Sequence, residues 1–447
     1  MKKEYDVIVI GGGPAGIISA ITTRKYNPKK KILLIKDVGD GVIPCGIPYM
    51  FATLKNPEEN SVNDMPLEKN NIDLKIDKVV EINRNEMKIL TKDKTYFKYK
   101  KLILAMGSNP TIPSIEGIEK KGIYPIYKKM SYLKNLKNVI QKSKNIIIIG
   151  GGFIGIEFAD ELSKLKNTNI SLIELLPEIL SNSFDLEFSK EIKHKLLKKR
   201  IKIYNNIKVK KINGKDKVKS ILLSNGKLIP ADIIILGIGS NPNISLAKNS
   251  GIKTSNYGIS VNKYLQTSDK NIFAIGDCAE KKDFFTKQKQ SIMLASIATT
   301  EARIVGNNIF NDKPKKNNGT LASYSTKIRE LAIGSTGINE KTAIKKGFEI
   351  IIGTAESTDK HPKKLPNTSL VKVKLIFSKK TKILLGGQIS GGDSIGEMIN
   401  IISTAIQKKF TINELESLQI ATHPKLTSAP TTYPIITAAQ NALQQIK

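Results

Sequence analysis

Few side chains in this chain are equipped for chemistry. Cys45 lies in GVIPCGIPYM, between Pro44 and Gly46, and is one of only two cysteines among 447 residues. A cysteine thiolate attacks disulfide or polysulfide sulfur, with a rate set by its ionisation and access. The second cysteine, Cys278, stands 233 positions further on, a usage that suits a reducing compartment rather than a disulfide scaffold. Imidazole acid–base chemistry is confined to His194, His361 and His423. His194 sits in KEIKHKLLKKR, the pattern of a basic surface helix. Two glycine runs, GGGPAG and GGGFIG, put Gly11, Gly13 and Gly16, and again Gly150, Gly152 and Gly155, in Gly-x-Gly-x-x-Gly spacing. After a buried strand, such a turn lets the backbone approach a pyrophosphate and aims a helix N-terminus at it.

The flanking elements make both turns more than isolated matches. The run YDVIVIGGGPAGIISAITTRKYNPKKKILLIKD reads as apolar strand, glycine turn, helix from about Pro14 to Tyr26, and second strand. NIIIIGGGFIGIEFADELSKLKNTNISLIELLP repeats that unit about 139 residues later, implying two separate nucleotide-binding domains rather than a short-period solenoid. The residue ending the second strand of such a unit tests the ribose. In the second unit it is Glu174, a carboxylate that accepts from a free 2′-hydroxyl and repels a 2′-phosphate, favouring NADH over NADPH. In the first unit the position holds Lys36, with Asp37 beside it as the second candidate.

The remaining chain supplies punctuation. KLILAMGSNPTIPSIEG and ADIIILGIGSNPN are each a strand closing in a glycine turn, and TSDKNIFAIGDCAE is a short strand opening into Gly276-Asp277. NDKPKKNNGT reads as a linker, after which strands and helices alternate as in an α+β domain. The expected class is α/β: two Rossmann-like dinucleotide-binding domains followed by a C-terminal α+β domain.

A formal charge of +32 raises the question of nucleic acid, but only five arginines occur, Arg24, Arg84, Arg200, Arg303 and Arg329. Lysines carry the charge, spread along the whole chain without aromatic interleaving. They read as solvated faces rather than a base-reading surface. No apolar run reaches the roughly 18–20 residues of a membrane span, and MKKEYDVIVIGGG enters a strand too soon for a secretory leader. A cytoplasmic protein with no membrane, metal or specific nucleic-acid partner is expected.

These motifs together resemble the pyridine nucleotide-disulfide oxidoreductases with two dinucleotide-binding domains. IGGGPAG looks like the FAD pyrophosphate motif, LAMGSNP like the motif closing the first half of the FAD domain, and TSDKNIFAIGDCA like the second FAD motif. The resemblance implies FAD contacts at Gly11, Gly13, Pro14, Ala15, Gly16, Lys36, Asp37, Val80, Ala105, Gly107 and Gly276, with Asp277 on the ribityl chain. IIIIGGGFIGIE looks like the NAD(P)H motif, implying contacts at Gly150, Gly152, Phe153, Ile154, Gly155, Glu174 and Gly239, with Glu157 facing the nicotinamide pocket. The implied layout is 1–113 and 244–318 for the FAD domain, 114–243 for NAD(P)H, and 319–447 for dimerisation in a homodimer.

In the disulfide reductases of this group a Cys-x-x-x-x-Cys pair follows the first unit; counting on from Cys45 gives Met50. PCGIPY is similar to the single-cysteine branch, which comprises coenzyme A-disulfide reductases, persulfide or polysulfide reductases, and NADH oxidases and peroxidases. Pro14 stands where oxidase and peroxidase members carry a histidine, which tilts the expectation toward a sulfur substrate. Cys278, inside the FAD motif, is expected to pack. For the acid–base group the resemblance implies His423, in ATHPKLTSAPTTYP, with Tyr433 and His361 as alternatives. The expected activity is NADH oxidation through FAD to coenzyme A disulfide, persulfide or polysulfide at Cys45. An NADH oxidase or peroxidase working through a Cys45 sulfenic acid is the alternative, and a flavoprotein electron-transfer partner or redox-sensing binder the rival of another class.

Overall fold

The strand Glu4–Ile10 alternates its side chains between two apolar layers. Val7 and Val9 pack with Ala15, Ala20, Ala302 and Val305, from the helices Pro14–Tyr26 and Ala295–Asn308. Ile8 and Ile10 pack on the opposite side with Leu33, Ile89, Phe97 and Ile252. Burial on both faces is what a β-branched run in mid-sheet requires. The computed structural model describes residues 3–199 and 201–446, so Arg200 lies outside the described residues.

The chain divides into two compact units, each gathered from three segments. The first comprises 1–112, 125–141 and 239–320; the second comprises 113–124, 142–238 and 321–447. In the first, the strands Asp73–Ile76, Ile32–Lys36, Glu4–Ile10 and Tyr96–Leu104 lie side by side in that order, all parallel. The strand Tyr96–Leu104 serves two neighbours on its far edge. Its first half pairs antiparallel with Lys88–Thr91, and its last three residues pair parallel with Ile272–Ala274.

In the second unit, strands Lys202–Tyr204, Asn169–Ile173, Asn145–Ile149 and Ile233–Leu236 form the equivalent parallel array. Residues 321–447 of this unit build a five-stranded antiparallel sheet, in the order 323–328, 331–337, 384–391, 370–378 and 350–358. Its glycines admit the flanking helices: a Cβ on Gly387 would meet Ile402 at 2.7 Å, and one on Gly353 would meet the Ala438 carbonyl at 1.9 Å. The α/β class and the α+β C-terminal region are as expected. Among the described residues no helix is long and apolar enough to cross a membrane.

Candidate active site

In the first unit the glycine turn is dictated by close approach. Gly11 adopts φ +121°, and a Cβ there would lie 2.1 Å from the Ala105 carbonyl oxygen. One on Gly16 would lie 1.9 Å from the Gly11 oxygen, whereas Gly13 faces open space. Gly13 caps the helix Pro14–Tyr26 without a side-chain acceptor, and no acidic residue stands in the first turn. The orphan N–H groups and positive dipole end are therefore left for an anion from outside the chain. Gly276, at φ +69°, abuts Ala15, so that a Cβ on it would meet the Ala15 Cβ at 2.9 Å. The neighbouring Asp277 Oδ2 accepts from Ser108 Oγ at 2.8 Å and Lys128 Nζ at 3.2 Å, just beyond Gly107. Gly11, Gly13, Pro14, Ala15, Gly16, Ala105, Gly107, Gly276 and Asp277 thus gather at the C-terminal ends of three parallel strands, an open cradle of the kind a dinucleotide fills.

Three other FAD candidates behave differently. Lys36 is buried and donates to both Asp64 oxygens at 2.7 Å, its stem lying against Gly12. Asp37 is exposed, and Val80 is 45% exposed on the strand Val79–Asn83.

Cys45 is exposed on the short 3-10 turn Pro44–Gly46. The turn is braced by Asn60, whose main-chain oxygen takes the Ile43 N–H and whose Nδ2 donates to the Ile43 oxygen, both at 3.0 Å. A Cβ on Gly46 would sit 1.9 Å from Asn60 Oδ1, so a larger residue there would displace the side chain of that brace. Met50 points into the core. Cys278 is fully buried against the Leu104 and Ile275 carbonyls, and burial pushes its thiol up to about 11. It is a packing residue.

The second unit repeats the cradle. Gly150 has φ +109° and a virtual Cβ 2.5 Å from the Gly237 oxygen, Gly155 packs on Gly150, and Gly152 is open and caps the helix Phe153–Leu162. Glu174 is buried and accepts the Gly151 N–H at 2.5 Å and the Leu176 N–H at 2.7 Å, which fixes a carboxylate at the end of its strand. Phe153 stacks on Tyr324 at 5.0 Å between ring centres, while Ile154 is exposed. Gly239 opens the last segment of the first unit, two residues after Gly237, whose oxygen stands against Gly150.

Glu157, on the same helix, accepts from Thr326 Oγ1 at 2.7 Å. Burial raises its carboxyl from 4.5 to about 7; the Thr326 hydroxyl opposes that rise and the Glu161 charge adds to it. The folded state therefore binds this proton more tightly than the unfolded chain, and stability falls as pH rises from 4.5 to 7. Glu157→Gln is expected to raise stability at pH 8 by up to about 3 kcal/mol and to change little at pH 4.5. Urea melts at the two pH values check this; equal stability of the two proteins at pH 8 would refute it.

His361 and His423 are brought together by one loop. The His361 N–H donates to the Pro424 oxygen at 3.0 Å, and His361 Nδ1 lies 3.1 Å from the Thr427 oxygen. A carbonyl only accepts, so Nδ1 carries the proton and Nε2 keeps the lone pair in the neutral ring. His423 is exposed and shows the opposite tautomer: its Nδ1 accepts the Lys425 N–H at 3.3 Å. Tyr433 is buried at the start of the helix Pro434–Gln444, and burial raises its hydroxyl.

Sequence inspection passes over Ser108, Lys128, Asn60, Asp64 and Thr326. Each meets its partner across a long stretch of chain, and no spacing rule marks it.

Residues 5–302 match the pyridine nucleotide-disulphide oxidoreductase family, and residues 324–434 match its dimerisation domain. The chain is 32% identical over 449 residues to an NADH oxidase of Methanocaldococcus jannaschii, covering 98% of this chain and 99% of that one. It is 29% identical over 450 residues to an NAD(P)H coenzyme A polysulfide/persulfide reductase of Pyrococcus horikoshii, covering 98% of each. The solved structure of an NAD-dependent persulfide reductase from A. fulgidus matches with a TM-score of 0.90 at 28% identity, over 98% of this chain and 83% of that one. The chain is an FAD-dependent NAD(P)H oxidoreductase and belongs to the pyridine nucleotide-disulphide oxidoreductase family.

Proposed function

We propose that this oxidoreductase carries electrons from NADH to a sulfur substrate, namely coenzyme A disulfide, coenzyme A persulfide or polysulfide, through Cys45 as its single redox thiol. The observation that carries this is the exposed Cys45 on a braced turn, with Met50 in the core at the place of a disulfide partner. The sulfur chemistry in the name of the Pyrococcus horikoshii relative supports it.

Bound FAD supplies two-electron transfer from NADH to sulfur. Gly11, Gly13, Pro14, Ala15, Gly16, Ala105, Gly107, Gly276 and Asp277 would hold it, and Gly150, Gly152, Phe153, Gly155, Glu157 and Glu174 would hold NADH. Ile154, Lys36, Asp37, Val80 and Gly239 stay outer candidates. The Cys45 thiolate attacks one sulfur of a coenzyme A disulfide, forming a mixed disulfide and releasing one thiolate. Two electrons and a proton then restore the Cys45 thiolate and free the second thiol. On a persulfide the outer sulfur moves to Cys45, coenzyme A thiolate leaves, and the same two electrons release it as hydrosulfide. His423, or failing it Tyr433 or His361, would supply the proton from a second copy of the chain, and the dimerisation-domain match supports a homodimer. The domain layout proposed is FAD at 1–113 and 244–318, NAD(P)H at 114–243 and dimerisation at 319–447, in a cytoplasmic protein. Glu174, its oxygens fixed by two amides, favours NADH because it repels a 2′-phosphate.

The test is NADH and NADPH consumption with coenzyme A disulfide, coenzyme A persulfide and polysulfide without oxygen, and with oxygen alone. Faster turnover on a sulfur substrate, with NADH preferred, is expected. Turnover on oxygen alone would favour the NADH oxidase activity named for the Methanocaldococcus jannaschii relative.

A further inference from the structure

The turn that carries Asp277 is held from beneath by an ion pair that no motif marks. Lys281 and Glu301 are each 2% exposed, with Nζ and Oε2 2.9 Å apart. Lys281 Nζ spends its other two protons on the turn itself, donating to the Gly276 oxygen at 2.5 Å and the Ala279 oxygen at 2.9 Å. Glu301 Oε2 also accepts the Gly276 N–H at 2.8 Å. Both polar groups of Gly276 are therefore bound by these two side chains, at a residue whose φ of +69° needs fixing. The pair is poorly suited to a purely stabilising role. A buried ion pair typically gains nothing over apolar side chains of the same volume, and Glu301 Oε1 is left buried without a partner. Two of the three Lys281 protons, by contrast, go to carbonyls of one turn, and the third to the carboxylate that takes the N–H of Gly276.

We infer that Lys281 and Glu301 are positioning residues for FAD: they set the Gly276–Cys278 turn so that Asp277 meets the ribityl chain. This rests on the proposed role of Asp277. The pair works on the main chain, while Ser108 and Lys128 hold the carboxylate itself.

The variant Lys281→Met with Glu301→Gln removes the clamp on the carbonyls without leaving a buried charge alone. It is expected to keep the far-ultraviolet spectrum of the wild type, to bind FAD about tenfold more weakly and to alter the visible circular dichroism of the bound flavin. Glu301→Asp keeps the charge but withdraws the carboxylate by one methylene; it is the milder second variant, with FAD binding weakened about threefold. A merely structural pair would lower the melting temperature and leave FAD affinity and the flavin signal unchanged. Affinity within twofold of wild type and an unchanged flavin signal in both variants would overturn the inference. Asp277→Ala is the control for the proposal beneath it. If that variant also binds FAD normally, the assignment of Asp277 has failed; if it binds FAD weakly while the pair variants do not, the positioning role alone has failed.

Discussion

Replacing Cys45 by serine is expected to lower turnover of coenzyme A disulfide and polysulfide by at least about 10³-fold, because a hydroxyl at neutral pH neither attacks sulfur nor holds it covalently. Anaerobic bleaching of the flavin by NADH is expected to survive, since the cradles around Gly13 and Gly152 share no residue with the Pro44–Gly46 turn. The wild-type protein should also take up more NADH than its flavin accounts for, if it is isolated with Cys45 as a mixed disulfide, and the serine variant should lose that excess. Stopped-flow reduction and steady-state assays separate the two effects. Full turnover of every sulfur substrate by the serine variant would end the thiol mechanism.

The second large effect is on stability. Lys374, buried in the second unit, contacts Asp185 at 3.0 Å and Glu187 and Glu340 at 2.7 Å each. Burial alone would lower its ammonium pKa, yet the three carboxylates hold it above the usual lysine range. Asp185 in turn accepts from Gln388 Nε2 at 2.6 Å. Lys374→Met strands a buried Asp185, whereas Glu187 and Glu340 are open enough to be re-solvated. The expected cost is about 3 kcal/mol, the lower part of the range for a broken buried pair, or roughly 6–12 °C in the melting temperature of the second unit, which holds Lys374. Adding Asp185→Asn should recover part of the loss. A single variant that melts within 2 °C of the wild type, against that expected drop, would show that solvent reaches the cluster.

The parts of the site legible in the sequence are those fixed by backbone geometry. Gly11 and Gly150 must be glycine because φ is positive and a carbonyl stands where a Cβ would be, and that demand recurs at a fixed spacing in both units. Glu174 was legible from its place at the close of the unit's second strand, Asn169–Ile173. Side-chain partnerships were not. Nothing in the neighbourhood of Lys36 announces Asp64, nothing near Glu157 announces Thr326, and Lys281 and Glu301 meet only after the helix Ala295–Asn308 has packed. The pairing of His361 with the loop that holds His423 also depends on a return of the chain that no local pattern encodes.

The interleaving of segments has a consequence for synthesis on the ribosome. Leu102 pairs with Ile8 on one side but finds its parallel neighbour on the other only when Ile272 emerges, 170 residues later. At roughly 5–20 residues per second, the apolar edge of that strand waits about 10–30 s for its partner. A nascent chain in that interval carries an open β-edge of Leu102, Ile103 and Leu104, the feature that invites pairing with a second polypeptide. Expression yield should therefore depend on chaperone supply during elongation more than on the stability of the finished protein, and slowing translation should aggravate rather than relieve aggregation.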